Sequence, residues 1–229
     1  MNVSKNIDIK YGSPIAGLLR ACGFLALVLV MTPVHMAFGL WKPREPFRIV
    51  LLFHRILTRI LGMHVRVHGV MTTASPTLFV SNHTSYLDIP VLGAIIPAAF
   101  VAKSEVADWP LIGRLAKFQR TVFIERRASR AVEHRNELAD RLIQGQSLIL
   151  FPEGTSTDGM KVLPFKSSLF SLVEQPHGDK PLTIQPVSVI CTELNGLPIT
   201  RAFRPFYTWF GDMTLQGHLW NVFKFGHFT

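Results

Sequence analysis

Hydrophobic positions in this chain come first as an unbroken block and only later with a period. Residues 15–32, IAGLLRACGFLALVLVMT, are apolar except for Arg20 and small polar residues, and after Pro33 the run resumes as VHMAFGLW to Trp41. Crossing a bilayer takes about 20 apolar residues, so the length suffices. Arg20, Pro33 and His35 interrupt it. Three arrangements fit: one tilted spanning helix, a bent helix pair hinged near Pro33 and lying in one leaflet, or a helix buried in a core. A signal peptide fits poorly, because the apolar core starts late and no small-residue cleavage site follows. Trp41, Lys42 and Arg44 suit an interfacial belt, and the expectation is a membrane anchor.

Periodicity appears from residue 45. Over residues 45–61, Phe47, Ile49, Val50, Leu51, Leu52, Phe53, Ile56, Leu57 and Ile60 alternate at helical spacing with Arg48, His54, Arg55 and Arg59. This predicts an amphipathic helix with a basic face, suited either to anionic lipid or to a surface position over a core. Period-two and helical patterns then alternate. MHVRVHGV reads as a strand with Val65 and Val67 on one face; PTLFVSN, AAFVAK, RTVFIE, SLILF and LTIQPVSVI read as strands; DIPVLGAII and PLIGRLAKF read as short helices. Residues 129–144 read as a longer helix, capped by Ser129 and stopped by Gly145. Strands alternating with helices predict an α/β fold: one central, mostly buried sheet flanked by helices, behind an N-terminal membrane-anchoring segment. We divide the chain into a membrane-associated segment, residues 1–60, and a catalytic α/β domain, residues 61–229.

Charge narrows the choice of partner. The 229-residue chain is 48% hydrophobic, with mean hydropathy +0.27, net charge +9 and a sequence pI of about 10.0. Such basicity favours a polyanion. Beside long apolar runs it favours an anionic membrane surface over nucleic acid, and no aromatic-basic platform for nucleic acid is present. Cys22 and Cys191 have no zinc-like or CxxC neighbour and are expected to be reduced thiols; no metal and no cofactor is implied.

Two strand ends carry the candidate chemistry. After the apolar residues 78–80, the stretch Asn82, His83, Thr84, Ser85 forms a polar turn, and a helix follows from about Tyr86, since Pro90 is tolerated only in a first turn. Were residues 83–88 all helical, His83 and Asp88 would point about 140° apart at roughly 100° per residue. With His83 in the turn, its imidazole can fold back toward Asp88. Two readings stand. Ser85 and Asp88 fit a capping box, with Asp88 answering the helix dipole. Alternatively, His83 is a general base oriented by Asp88. About seventy positions on, SLILF runs into PEGTSTDG, where Glu153, Gly154 and Thr155 lie in a tight turn whose N–H groups suit an anion or oxyanion, or form a turn and nothing more. Lys103 and Arg126 end two other strands and together make a plausible phosphate seat, although each alone reads as surface charge.

Taken in order, these stretches resemble the glycerolipid acyltransferase family typified by 1-acylglycerol-3-phosphate acyltransferases. NHTSYLD is similar to the family's first block, His-x-x-x-x-Asp; VFIERR to its second; FPEGTS to its third; IQPVSVI to its fourth; and AKSEVADWPLIG to the segment between the first two. The resemblance implies that His83 is the general base and Asp88 its orienting partner. It also implies that Glu153, Gly154 and Thr155 shape the acceptor site, and that Lys103 and Arg126 hold an acidic head group. The implied reaction moves a fatty acyl group from an acyl carrier protein or CoA thioester to the free hydroxyl of a lysolipid, 1-acylglycerol-3-phosphate, at the cytoplasmic face of a membrane, most naturally a bacterial inner membrane. Two departures matter. The family's third block often continues with arginine where this chain has Ser156, and FPEGTSTDG is similar to the version in bacterial lyso-ornithine lipid acyltransferases, whose acceptor lacks a glycerol phosphate. The chain also ends at FKFGHFT, which reads like an unfinished strand and suggests a C-terminal truncation. A thioesterase acting on the same donor and a non-catalytic membrane-binding module are the other classes in play.

Overall fold

The computed structural model describes residues 12–41, 47–125, 131–167, 170, 173 and 181–229. Two helices come first, α1 (Pro14–Trp41) and α2 (Phe47–Ile60). The α/β unit follows: β1 (Thr77–Ser81), α3 (Asp88–Gly93), β2 (Ala99–Lys103), α4 (Ile112–Phe118), β3 (Val122–Ile124), α5 (Ala131–Ile143), β4 (Leu148–Leu150) and β5 (Thr183–Val187). A short hairpin, β6 (Glu193–Leu194) and β7 (Leu197–Pro198), and α6 (Leu215–Lys224) complete it.

The five long-range strands form one parallel sheet in the order β3-β2-β4-β1-β5. The central strands β1 and β4 are short runs without polar alternation, TLFVS and LIL, and every residue in them is buried. A parallel sheet covered on both faces demands that composition. One face packs Leu78, Val80 and Leu148 against Leu138 and Leu142 of α5; the other packs Phe79, Ile149 and Phe100 against Leu92 of α3. Pro186 lies in β5, at the sheet edge, where its missing N–H costs no ladder bond. Helix α5 ends as expected: Gly145 has φ +79°, its N–H bonds Leu142 O, and Gln146 N–H bonds Arg141 O. The Ser129 cap lies outside the described residues.

Three expectations are corrected. Residues 63–70 do not form a strand. Met63 bridges Phe228, but Val67 and Val70 are exposed, and the chain beyond them meets the sheet edge through the Gln185 side chain, which bonds Thr72 N–H and Val70 O, and through Thr183 N–H, which bonds Pro76 O just before β1. Period-two patterning needs a ladder partner to become a strand, and the edge strand here offers a side chain instead. No helix break falls at Pro33, since α1 runs through the proline to Trp41. The basic face of α2 is only partly basic surface: His54 is buried, and Arg55 Nε donates to Ala94 O at 2.9 Å, tying α2 to the end of α3.

Helix α1 turns Arg20, His35 and one apolar strip inward and leaves a second apolar face exposed. Arg20 donates to Phe223 O at 3.1 Å, and the His35 ring meets Phe118 edge-on. Leu27, Val28 and Met31 join a core with Phe53 and Leu57 of α2 and Val222 and Phe223 of α6. Meanwhile Ile15, Leu18, Leu19, Leu25, Leu29, Val30 and Met36 are exposed. The segment Pro14–Ala37 is long and apolar enough to cross a membrane.

Candidate active site

Three neighbouring parallel strands, β2, β4 and β1, end on the same side of the sheet. Lys103 closes β2, Glu153 stands three residues past β4, and His83 stands two residues past β1. Ligands of open parallel sheets sit at this carboxyl edge.

His83 Nδ1–H donates to Asp88 Oδ2 at 2.9 Å. The geometry follows from the local fold: α3 begins at Asp88, so His83 lies in the preceding turn and its ring folds back over the helix start. Asp88 is fully buried, at 0% exposure. Its Oδ2 also accepts Thr84 N–H at 2.8 Å and Ser85 N–H at 3.0 Å, while Oδ1 accepts the Tyr207 hydroxyl at 2.9 Å and the Thr84 hydroxyl at 3.3 Å. The sequence posed helix capping and histidine orientation as alternatives. One carboxylate does both, because its two oxygens take donors from the turn and from the ring at once. Only half of the capping box forms: Ser85 Oγ accepts Leu87 N–H, and Asp88 N–H goes to Ser85 O instead.

The imidazole is held on its face as well as its edge. It stacks on Phe151 with ring centroids 4.1 Å apart, and its side chain keeps 20% exposure. A carboxylate accepts only, so Asp88 places the hydrogen on Nδ1 and leaves Nε2 as the basic nitrogen.

Glu153 holds the backbone that carries this ring. It is buried, with Oε1 accepting His83 N–H and Oε2 accepting Leu163 N–H, both at 2.7 Å. Thr157 N–H returns the link by donating to His83 O at 3.1 Å. The two motifs, seventy residues apart in sequence, are thus laced together through main-chain groups. Gly154 has φ +66°, a turn conformation suited to glycine, and a Cβ there would meet Lys166 Nζ at 2.9 Å. Its N–H bonds Phe151 O, so this N–H and that of Thr157 are already engaged in shaping the turn. Thr155 is exposed at the tip. Arg126 lies outside the described residues. Among the described residues, no group of histidine, cysteine and acidic side chains could hold a metal ion.

Comparisons with known proteins place the chain in a family. The family model described as Acyltransferase matches residues 64–190, which span all the motif positions above. The chain belongs to the acyltransferase family. A lyso-ornithine lipid O-acyltransferase of Brucella abortus is 41% identical over 91% of this acyltransferase and 79% of its own length. One from Rhizobium meliloti is 38% identical over 90% and 72%. A 1-acyl-sn-glycerol-3-phosphate acyltransferase of Neisseria gonorrhoeae is 34% identical over 63% of this chain and 53% of its own. The crystal structure of the 1-acyl-sn-glycerophosphate (LPA) acyltransferase PlsC from Thermotoga maritima shares the fold, with TM-score 0.53 over 70% of each chain and 24% identity.

Sequence reasoning missed the groups that close the site from the C-terminal side. Trp209 N–H donates to Thr84 O at 2.9 Å, and Arg204 donates to Gly159 O at 2.7 Å. Tyr86 and His218 are linked at 2.8 Å; with His218 Nε2–H donating to Pro205 O, the tyrosine is the donor to Nδ1. Arg204, Trp209 and His218 stand far from either motif. The one available signal was RPFYTWF, an apolar run whose tyrosine, once buried, needs a partner.

Proposed function

We propose that this acyltransferase moves a fatty acyl group from a thioester of acyl carrier protein or CoA to the free hydroxyl of a membrane lysolipid, with His83 as general base. The observation that carries the reading is the buried Asp88 carboxylate at 2.9 Å from His83 Nδ1, which leaves Nε2 for the substrate. Nε2 takes the hydroxyl proton as the oxygen attacks the thioester carbon. The tetrahedral oxyanion then collapses, the C–S bond breaks, and the imidazolium returns its proton to the departing thiolate. Asp88 fixes the tautomer and stabilises the transient imidazolium. Transfer is direct, without an acyl-enzyme. Cys191 is a poor nucleophile, since burial pushes its thiol up to about 11.

The acceptor that best fits is lyso-ornithine lipid. The relatives of highest coverage carry that activity in their names, and Ser156 stands where the resembling family often has an arginine suited to phosphate. Lysophosphatidate is the second reading, supported by the Neisseria relative. Lys103 and Arg126 would hold the anionic head group, while Glu153, Gly154 and Thr155 shape the wall beside it. The outward apolar face of α1 seats the enzyme in the bilayer, at the cytoplasmic face of a bacterial inner membrane.

Purified enzyme offered both acceptors with each thioester is expected to acylate lyso-ornithine lipid faster. Faster acylation of lysophosphatidate would reverse the assignment. His83→Ala is expected to lose roughly 100- to 10,000-fold in turnover while staying folded and membrane-bound. Retained turnover would reject the base.

A further inference from the structure

The His83–Asp88 pair comes from one short sequence motif, yet the second oxygen of Asp88 is also served from elsewhere. Tyr207 lies 119 residues beyond Asp88 and outside the 64–190 stretch that the family model matches. It is buried, at 4% exposure, beside Phe228 and next to Phe206 in the core. Its hydroxyl donates to Asp88 Oδ1 at 2.9 Å, the shortest contact that oxygen makes, the other being Thr84 Oγ1 at 3.3 Å. Neighbouring bonds pin the same segment to both motifs, Trp209 N–H to Thr84 O and Arg204 to Gly159 O. Burial, reinforced by the charge of Asp88, raises the phenol well above its ordinary value, so it remains a donor. Among the described residues, titratable groups near the pair include Glu153, occupied by two backbone N–H groups, and Cys191, which interacts electrostatically with Asp88 and with Arg204.

We propose that Tyr207 is a positioning residue of the reaction: it holds the Asp88 carboxylate toward His83 and, by drawing charge onto Oδ1, sets how strongly that carboxylate engages the imidazole. The segment around residues 204–209 is then part of the catalytic apparatus. A donor on one carboxylate oxygen weakens the negative potential that the other offers to an imidazolium. With the donor removed, the imidazolium is favoured, and His83 stays protonated, and therefore inactive as a base, to higher pH.

This inference rests on the proposed role of His83, and the experiment separates the two. In Tyr207→Phe the ring and its packing remain. We expect kcat/KM to fall roughly tenfold, about the effect of one hydrogen bond to a charged group. The acidic limb of its pH profile should move up. Replacing Tyr207 with a monofluorinated tyrosine, a stronger donor of nearly the same shape, should move that limb down, and it reads the effect even if the phenylalanine variant folds poorly. In an Asp88→Asn background, Tyr207→Phe should cost much less than it does alone. An unmoved limb in both Tyr207 variants, or an undiminished loss in the Asp88→Asn background, would overturn the role of Tyr207. If His83→Ala were active, the base itself would fall, and with it this inference.

Discussion

Glu153 spends both carboxylate oxygens on main-chain donors, one of them the N–H of His83 itself. A side chain used this way fixes His83 with oxygens that are no longer open to a ligand. Glutamine in its place keeps one acceptor and turns an NH₂ toward the other N–H, leaving a buried donor unmatched. Glu153→Gln should therefore cost roughly 2 kcal/mol in urea unfolding. It should also lower kcat more than it raises KM, because the His83 main chain loses its anchor while the acceptor pocket is only indirectly disturbed. An increase in KM alone would assign Glu153 to acceptor binding. The motif and its glutamate were plain in the sequence at this scale. The partners were not, since hydrogen bonds to backbone N–H groups leave no trace in residue identity.

Helix α2 shows how an element can carry a hidden liability. Its pattern placed His54 with the arginines, yet α2 lies on α3 so that the His54 ring abuts Gly93, where a Cβ would collide with it. Neither ring nitrogen has a hydrogen-bond partner, and although Gln119 is near enough to interact, it forms no bond of good geometry. Burial pushes His54 down to about 4, and His218, buried between Tyr86 and Pro205, also falls to about 4. Both folded values lie below the ordinary 6.5, so the unfolded chain binds the extra protons. Stability is full above about 6.5 and is lost as pH falls toward about 4. For His54 alone the loss at about pH 5 should be about 2 kcal/mol. Urea titrations at neutral and mildly acid pH are expected to show it, and His54→Leu should flatten about half of the slope. A slope unchanged by that substitution would place the acid sensitivity elsewhere.

Across the whole molecule, α1 belongs to the fold as much as to a membrane. Leu27, Val28 and Met31 fill the core shared with α2 and α6, while the opposite face is bare apolar surface of the kind that soluble monomers rarely expose. Deleting α1 should therefore yield aggregated protein with raised dye binding to exposed apolar surface, rather than a soluble catalytic domain. A soluble, cooperatively folding truncation would show α1 to be a detachable anchor. The lesson about legibility is clearest here. Buried strands, helix stops at glycine, the apolar block and the two motifs were all readable, because each depends on local periodicity or on a few adjacent residues. Residues 63–70 carried a strand's alternation but, past the Met63–Phe228 bridge, form no strand, since alternation cannot say whether a neighbouring edge is open. Arg20 and His35 looked like flaws in a membrane helix until packing turned them inward, onto Phe223 and Phe118. The sequence by itself determined the α/β alternation and the pairing of His83 with Asp88 across the turn, which are properties of short segments. Only the tertiary structure decided what surrounds that pair: Glu153 beneath the turn, Phe151 under the ring and Tyr207 on the far oxygen come from distant segments, and a buried carboxylate gathers its donors from wherever the folded chain brings them.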